Sequence, residues 1–275
     1  MTKYSSFKKF EKNEKVIRSE SSKSFPDAIK LAEESFDLLD YTLYQVCKSI
    51  YEKEPTSQQV VSQRVAALLI AGKYMQSTLA AFNLFQAGYY SDAYVISRTM
   101  LESVLLCGYF RNHPEVAEGW LNGRRKIEPS ELLKEHARFS DRSFGRIWGN
   151  LSDFVHLIEP ISVSPSFVPV TYALATAIPK AKKDALIRAV QNKAVKDIII
   201  SFIQDAEKGV GFGPYFDREL FDRWFFIIPS LNYLFLFSIR GIFRKEINRK
   251  VKARIMREAE AFVKSSYTIK KTQKA

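Results

Sequence analysis

Apolar residues recur at helical spacing along nearly the whole chain, and no stretch shows the apolar–polar alternation of a half-buried strand. Helix ends are marked by local signals. Thr56 and Gln59 have the spacing of a capping box, Gly88 suits a helix C-terminus, and Ser91 is placed to cap the next helix. We therefore predict an all-α fold, a multi-helix bundle with a central apolar helix and a basic C-terminal helix.

Prolines and glycines divide the helical pattern. The stretch "EPISVSPSFVPV" carries Pro160, Pro165 and Pro169, so no regular helix passes through it, and "KGVGFGPYF" interrupts the pattern again. Five segments are expected from these breaks and from the charge distribution. They are a basic, partly disordered segment at 1–24, a helical bundle at 25–158, a proline-rich connection at 159–179, C-terminal helices that pack on the bundle at 180–264, and a basic tail at 265–275.

The most apolar stretch, residues 224–239, is free of charge but is only sixteen residues long and contains Pro229 and Asn232. A membrane-spanning helix needs about twenty apolar residues. We interpret this stretch as a core helix of a bundle, kinked at Pro229, and expect residues 217–264 to be helical throughout.

The net charge of +12 is concentrated at the two ends of the chain. Residues 1–24 hold seven basic and three acidic side chains, and residues 244–275 hold eleven basic and three acidic side chains, which gives +4 and +8. The body between them is balanced. Any attraction for phosphate or anionic lipid is therefore expected from the ends and not from a groove in the core.

The polar N-terminal stretch lacks the apolar region of a secretory signal, so a cytoplasmic location is expected. Cys47 and Cys107 have apolar neighbours and no C-x-x-C spacing, which predicts reduced core thiols. His113 and His136 lie in polar sequence and are expected to be solvated. Three scattered histidines without paired carboxylates predict no metal site, and neither a phosphate loop nor a nucleophile elbow is present to suggest a cofactor or a standard hydrolase.

Arg98 and Glu102 are the only charges in the apolar stretch 93–110, and their i, i+4 spacing places them on one face of the helix. An unpaired charge in a core costs several kcal/mol, so each must meet the other, a third polar group or solvent in a cleft. Two interpretations stay open. The pair is either structural, fixing how helices align, or part of a polar pocket with perturbed pKa values.

A second group of polar residues accompanies that pair and completes the candidate catalytic set. His156 ends the amphipathic stretch "RIWGNLSDFVH" and is expected to share a polar space with Arg98 and Glu102. The candidate catalytic residues are Arg98, Glu102, Arg146, Asn150, Asp153 and His156.

The stretches "SDAYVISRTMLES" and "GNLSDFVH" resemble an uncharacterised bacterial all-helical family with Arg and Glu in one helix and an L-S-x-x-x-H pattern in another. Residues 60–160 are also loosely similar to HEPN domains, helical bundles that often dimerise and of which many cleave RNA. Gly149 stands where the HEPN signature has its arginine. The resemblance implies an RNA-associated protein of a stress or antiviral defence system, with metal-independent ribonuclease activity and a homodimeric state as further expectations. If RNA is cleaved, His156 is the expected general acid or base, and Arg98 or Arg146 is expected to stabilise negative charge at phosphorus.

The C-terminal segment is expected to supply the nucleic-acid contact. Phe243, Ile247, Val251 and Ile255 recur every four residues, and Phe262 with Val263 continues this stripe, which predicts one docking face. The candidate phosphate-binding residues around the remainder are Arg244, Lys245, Arg249, Lys250, Lys252, Arg254 and Arg257. RNA or another polyanion is the expected partner, and the alternatives are a non-catalytic protein-interaction module and a peripheral membrane protein that uses this helix.

Overall fold

The computed structural model describes residues 6–51, 57–137 and 225–272, together with residues 188, 200, 218 and 221. Every regular element within these ranges is an α-helix, which confirms the all-α prediction. The helices are α1 (Ser6–Ser24), α2 (Pro26–Tyr51), α3 (Gln58–Ala87), α4 (Tyr90–Asn112), α5 (Pro114–Leu121), α6 (Pro129–Ala137), α7 (Ile227–Ile242) and α8 (Arg249–Thr272).

Helices α3 and α4 form a hairpin with a two-residue connection. Gly88 ends α3 with φ of 83°, and its N–H bonds back to the carbonyls of Leu84 and Phe85. This left-handed backbone conformation favours glycine, so the predicted helix stop is confirmed. At the start of α3 the cap is Ser57, whose hydroxyl accepts the N–H of Val60, and not Thr56 as the sequence suggested.

Helix α4 is the central helix of the bundle, as predicted. It packs against α3, α5, α6 and α7, and its side chains Met100, Leu101, Leu105 and Phe110 are fully buried. The helix begins at Tyr90, one residue before Ser91, and no side chain caps its first turn. Because neighbouring helices cover α4 on several sides, its position depends on packing more than on capping.

Helix α7 is a core helix, but the continuous helix predicted for 217–264 is interrupted. It ends at Ile242, and α8 begins at Arg249 after a turn. Asn248 explains the restart, because its side-chain oxygen accepts the N–H of Val251 at 2.9 Å in the manner of an N-cap. The kink expected at Pro229 is wrong, since Pro229 lies in the first turn of α7, where a missing N–H donor costs nothing.

One fully buried amide joins three helices. Asn232 of α7 accepts a hydrogen bond from the Tyr74 hydroxyl of α3 at 2.9 Å and donates one to Ser35 Oγ of α2 at 3.0 Å. The Tyr74 ring stacks on Phe235 with 4.0 Å between ring centroids. Burial raises the pKa of Tyr74, so its hydroxyl remains a donor to Asn232. These contacts fix the register of α7 against α2 and α3.

The structure corrects the expectation for one cysteine and describes the N-terminal segment. Cys107 is buried in the core, where desolvation raises the pKa of its thiol, but Cys47 is exposed on α2 and is not a core thiol. The N-terminal segment forms a helix over residues 6–24 and buries Ile17 and Ser21. Ser21 donates to the carbonyl of Gln86 at 3.2 Å, which ties α1 to the end of α3.

His136 is also not solvated as expected. Its imidazole packs so closely on Gly108 of α4 that a Cβ there would lie 2.7 Å from the ring. Nε2 lies 3.2 Å from the carbonyl oxygen of Leu105, so the neutral ring donates from this nitrogen. Burial lowers the pKa of His136, and Arg111 adds to this while Glu135 and the hydrogen bond oppose it.

By length and composition α3 is also able to cross a membrane, and 44% of its apolar window is buried inside the protein. The core helix of a soluble helical bundle in general meets the same criteria of length and composition. Of the described helices, α3 alone satisfies this test.

Replacing Asn232 with leucine should lower the free energy of unfolding by about 2 to 4 kcal/mol, because the Tyr74 hydroxyl loses its acceptor inside the core. Urea denaturation at neutral pH measures the change. Ser230→Ala in the same helix, where the hydroxyl bonds only to the carbonyl of Phe226, is the control and should stay within about 0.5 kcal/mol. Equal stability of the two variants would contradict the role assigned to Asn232.

The unfolding free energy should also fall as the pH drops from 7.5 to 5.5, with a contribution from His136. Its pKa is lower in the folded protein than in the unfolded chain, so the unfolded state binds more protons as the pH falls through the unfolded value. Denaturation of the wild type and of His136→Gln across this interval measures the effect. A pH dependence that is identical in the two proteins would show that His136 does not contribute.

Candidate functional site

Arg98 and Glu102 form an ion pair at the edge of the bundle. Arg98 Nε lies 3.3 Å from Glu102 Oε1, and the two side chains are 16% and 42% exposed. Their charges therefore meet both each other and solvent. Pairing and access to solvent are two of the arrangements that the sequence left open for these charges. The other candidate catalytic residues, Arg146, Asn150, Asp153 and His156, lie outside the described residues.

Glu102 lines a cavity of about 350 Å³ that α3, α4, α5 and α6 enclose together with the turn after α5. We call it the α3–α6 cavity. Most of its walls are apolar, and its polar members come from one side of α4 and from Lys73 of α3. The lining residues are Leu69, Ile70, Lys73, Thr99, Glu102, Ser103, Leu106, Trp120, Ile127, Pro129 and Leu132.

The turn between α5 and α6 is held in place by polar contacts, so this wall of the cavity is well defined. Arg125 Nη2 donates to Glu131 Oε2 at 2.6 Å, and the other oxygen of Glu131 accepts the N–H of Glu128 at 3.3 Å. Trp120 is fixed from behind by an edge-on contact with the Phe110 ring, with 5.3 Å between centroids. The cavity is therefore largely preformed, as ligand sites commonly are.

Sequence reasoning found Glu102 but missed Lys73, Trp120 and Ile127. Lys73 lies in an apolar helix pattern as a single exposed lysine, which is unremarkable on a surface. Trp120 joins the cavity from α5, and Ile127 joins it from the turn that follows α5. A signal was available in Lys73, the one charge between Arg64 and Asp92 along the chain.

The C-terminal helix docks on the body through its apolar stripe, as predicted. Phe243, Ile247, Val251, Ile255 and Phe262 are buried, and α8 packs against α2 and α7. Val263, which was expected to extend this stripe, is 51% exposed. Because the stripe faces the protein, the basic side chains of α8 lie along its outer side.

The acidic residues near these basic side chains are engaged in ion pairs. Glu246, with a side chain 2% exposed, pairs with Arg64 of α3. Glu258 accepts from Arg254 Nε at 2.6 Å, and the Arg254 guanidinium also lies over the Tyr41 ring of α2. Of the acidic side chains at residues 244–265, Glu260 alone is fully exposed.

The structure therefore separates the seven predicted phosphate-binding residues into two groups. Lys252 donates to the carbonyl of Arg244, and Arg254 pairs with Glu258, so these two are half-buried and engaged. Arg249, Lys250, Arg257 and also Lys264 are exposed along α8, and Arg244 and Lys245 are exposed in the turn before it. We call this exposed set the cationic surface: Arg244, Lys245, Arg249, Lys250, Arg257 and Lys264.

His113 is half-buried and not solvated as expected. Its Nε2 lies 3.3 Å from Glu135 Oε1 and its Nδ1 lies 3.5 Å from Glu115 Oε1. Asn112 donates to the same oxygen of Glu135 at 3.0 Å, so the cluster joins the end of α4 to α6. In the part of the chain that the structure describes, no group of three or more His, Cys, Asp or Glu side chains could hold a metal ion.

The chain has no significant match to a protein-family model, to a curated protein or to a solved structure. The all-helical architecture is thus established by the structure itself.

Replacing Glu246 with glutamine should lower the free energy of unfolding by about 3 kcal/mol. The reason is that the largely buried guanidinium of Arg64 keeps its charge but loses its counter-ion. Chemical denaturation measures this loss. Glu258→Gln removes a more exposed carboxylate from a comparable Arg–Glu pair and should cost less than about 1 kcal/mol. The two pairs would be energetically equivalent, against this expectation, if both variants lost the same amount.

Proposed function

We propose that this protein is an RNA-associated helical module that binds backbone phosphates through its cationic surface. The observation that carries the proposal is the fate of the neighbouring acids. Glu246 pairs with Arg64 and Glu258 with Arg254, and Glu260 is the one acid at residues 244–265 that is exposed beside the six basic side chains of this surface. A surface on which one sign of charge dominates attracts a polyanion and raises its association rate.

The spacing of the basic residues supports an extended anionic ligand. Lys250, Arg257 and Lys264 follow one another at intervals of seven residues, which places them nearly in line along α8. Seven residues of α-helix advance about 10.5 Å, so the line extends over about 21 Å. A single small anion would contact one of these side chains, whereas a polyphosphate backbone contacts all three.

A nucleic acid suits this surface better than a lipid bilayer does. A helix that lies on a membrane inserts its apolar face among the acyl chains. The apolar stripe of α8, from Val251 to Phe262, is buried against α2 and α7 and is not available for insertion. Met256 and Val263 are exposed but do not form a continuous apolar face. RNA is the favoured nucleic acid because residues 60–160 resemble HEPN domains, many of which act on RNA.

The proposal is tested with a triple variant in which Lys250, Arg257 and Lys264 become glutamine. Fluorescence anisotropy with a single-stranded RNA, across 50 to 200 mM salt, should show weaker binding. The slope of log K against log salt should decrease in magnitude by about 2, because each lost phosphate contact on a single strand removes about 0.7. Substitutions are used because deletion of α8 would also remove the core residues Ile255 and Phe262.

A matched control removes the same amount of charge elsewhere. Lys48→Gln, Arg124→Gln and Lys134→Gln lie on α2, the α5–α6 turn and α6, and all three side chains are exposed. This control should keep the wild-type salt slope. Equal weakening by both triple variants would mean that net charge alone matters, and it would refute the proposed surface. Tighter binding to phosphatidylserine vesicles than to RNA would assign the surface to a membrane instead.

A further inference from the structure

We propose that the α3–α6 cavity binds an apolar α-amino acid, with its ammonium group at Glu102, its carboxylate at Lys73 and its side chain against Trp120. This inference does not depend on RNA binding, because no residue of the cavity belongs to the cationic surface. It assigns a ligand to the ion pair whose role the sequence left open.

The size and lining of the cavity suit a small molecule with an apolar body. Its volume is about 350 Å³, and Leu69, Ile70, Leu106, Trp120 and Leu132 contribute apolar walls. Leu132 is buried and Trp120 is half-buried, while Leu69 is 59% exposed at the mouth. A partly open cavity with apolar walls and few polar groups is the usual form of a small-molecule site.

Two opposite charges line this cavity without contacting each other. Lys73 comes from α3 and Glu102 from α4. Within the described part of the chain, Glu102 pairs with Arg98 and no ion pair includes Lys73. Each of these charges attracts an oppositely charged group. Lys73 and Glu102 can therefore each face an oppositely charged group of one ligand in the cavity.

The two charges indicate which functional groups a ligand of this cavity carries. An ammonium group would donate to the carboxylate of Glu102, which the Arg98 guanidinium orients through Oε1. A carboxylate would accept from the ammonium of Lys73. A ligand with only one of these groups would leave Lys73 or Glu102 without a charged partner from the ligand, whereas a zwitterion pairs with both.

The apolar side chain of such a ligand would occupy the inner part of the cavity. Trp120 contributes an aromatic wall to the cavity, and its edge-on contact with the Phe110 ring limits its rotation. Aromatic and branched aliphatic side chains gain most from burial at such a site. Phenylalanine is therefore the probe of choice, and glycine, which lacks a side chain, is its matched negative probe.

The test is isothermal titration calorimetry of the full chain with phenylalanine, glycine, 3-phenylpropanoate and 2-phenylethylamine. Phenylalanine should bind, and glycine should not. Glu102→Gln and Lys73→Met should each weaken phenylalanine binding by about tenfold, the effect of losing one charged hydrogen bond. Lys134→Met, an exposed lysine of α6 outside the cavity, should bind like the wild type.

The two single-group probes separate the roles of the charges. Binding of 3-phenylpropanoate should be weakened by Lys73→Met and not by Glu102→Gln, and 2-phenylethylamine should show the reverse. Thermal melting confirms that each variant is folded. Absence of phenylalanine binding to the folded wild type, equal binding of glycine, or insensitivity to both substitutions would overturn the proposal. RNA binding by the same variants should be unchanged, so failure here leaves the cationic surface unaffected.

Discussion

The bundle depends on one polar requirement, that the amide of Asn232 be satisfied in the middle of an apolar core. Tyr74 and Ser35 meet it from two different helices, and Thr78 lies 3.4 Å from the same amide oxygen. An apolar side chain at this position would pack with similar energy in several registers. A buried amide is satisfied in only one of them, so it selects a single alignment of α7 on α2 and α3. The positions of α4 and α8 follow from that alignment, because both pack on α7.

The helical class and the buried faces of the helices were largely predictable, but the starts of α3 and α4 were misplaced by one or two residues. Gly88 indicates a left-handed residue at the end of α3. The apolar residues on all sides of α4 identify it as the central helix, and the four-residue recurrence at Val251 and Ile255 indicates the docked face of α8. The break at residues 243–248 was missed because continued apolar periodicity concealed the cap at Asn248. Periodicity describes which side of a helix is buried and does not require that the helix be continuous.

The candidate sites were less predictable, because they depend on contacts between distant parts of the chain. Arg64 and Glu246 are separated by 182 residues, and nothing near either one indicates the partner. The α3–α6 cavity joins Lys73 to a turn more than fifty residues later. Arg98 and Glu102 could be paired from their spacing alone, but their exposure could not. The exposure of these two side chains depends on how far α3 and α5 cover the face of α4 that carries them.

The short connection at Gly88 also has a consequence for how the chain acquires its structure. The α3–α4 hairpin closes a loop of two residues, so its formation costs little chain entropy and can follow directly upon synthesis. The hydrogen bond between Ser35 and Asn232 spans 197 residues and must wait until nearly the whole chain is available. Until α7 arrives, the hairpin presents to solvent the apolar surface that α7 later covers. The newly made chain thus has a period in which it is open to aggregation and to capture by chaperones, and this period ends with the burial of α7.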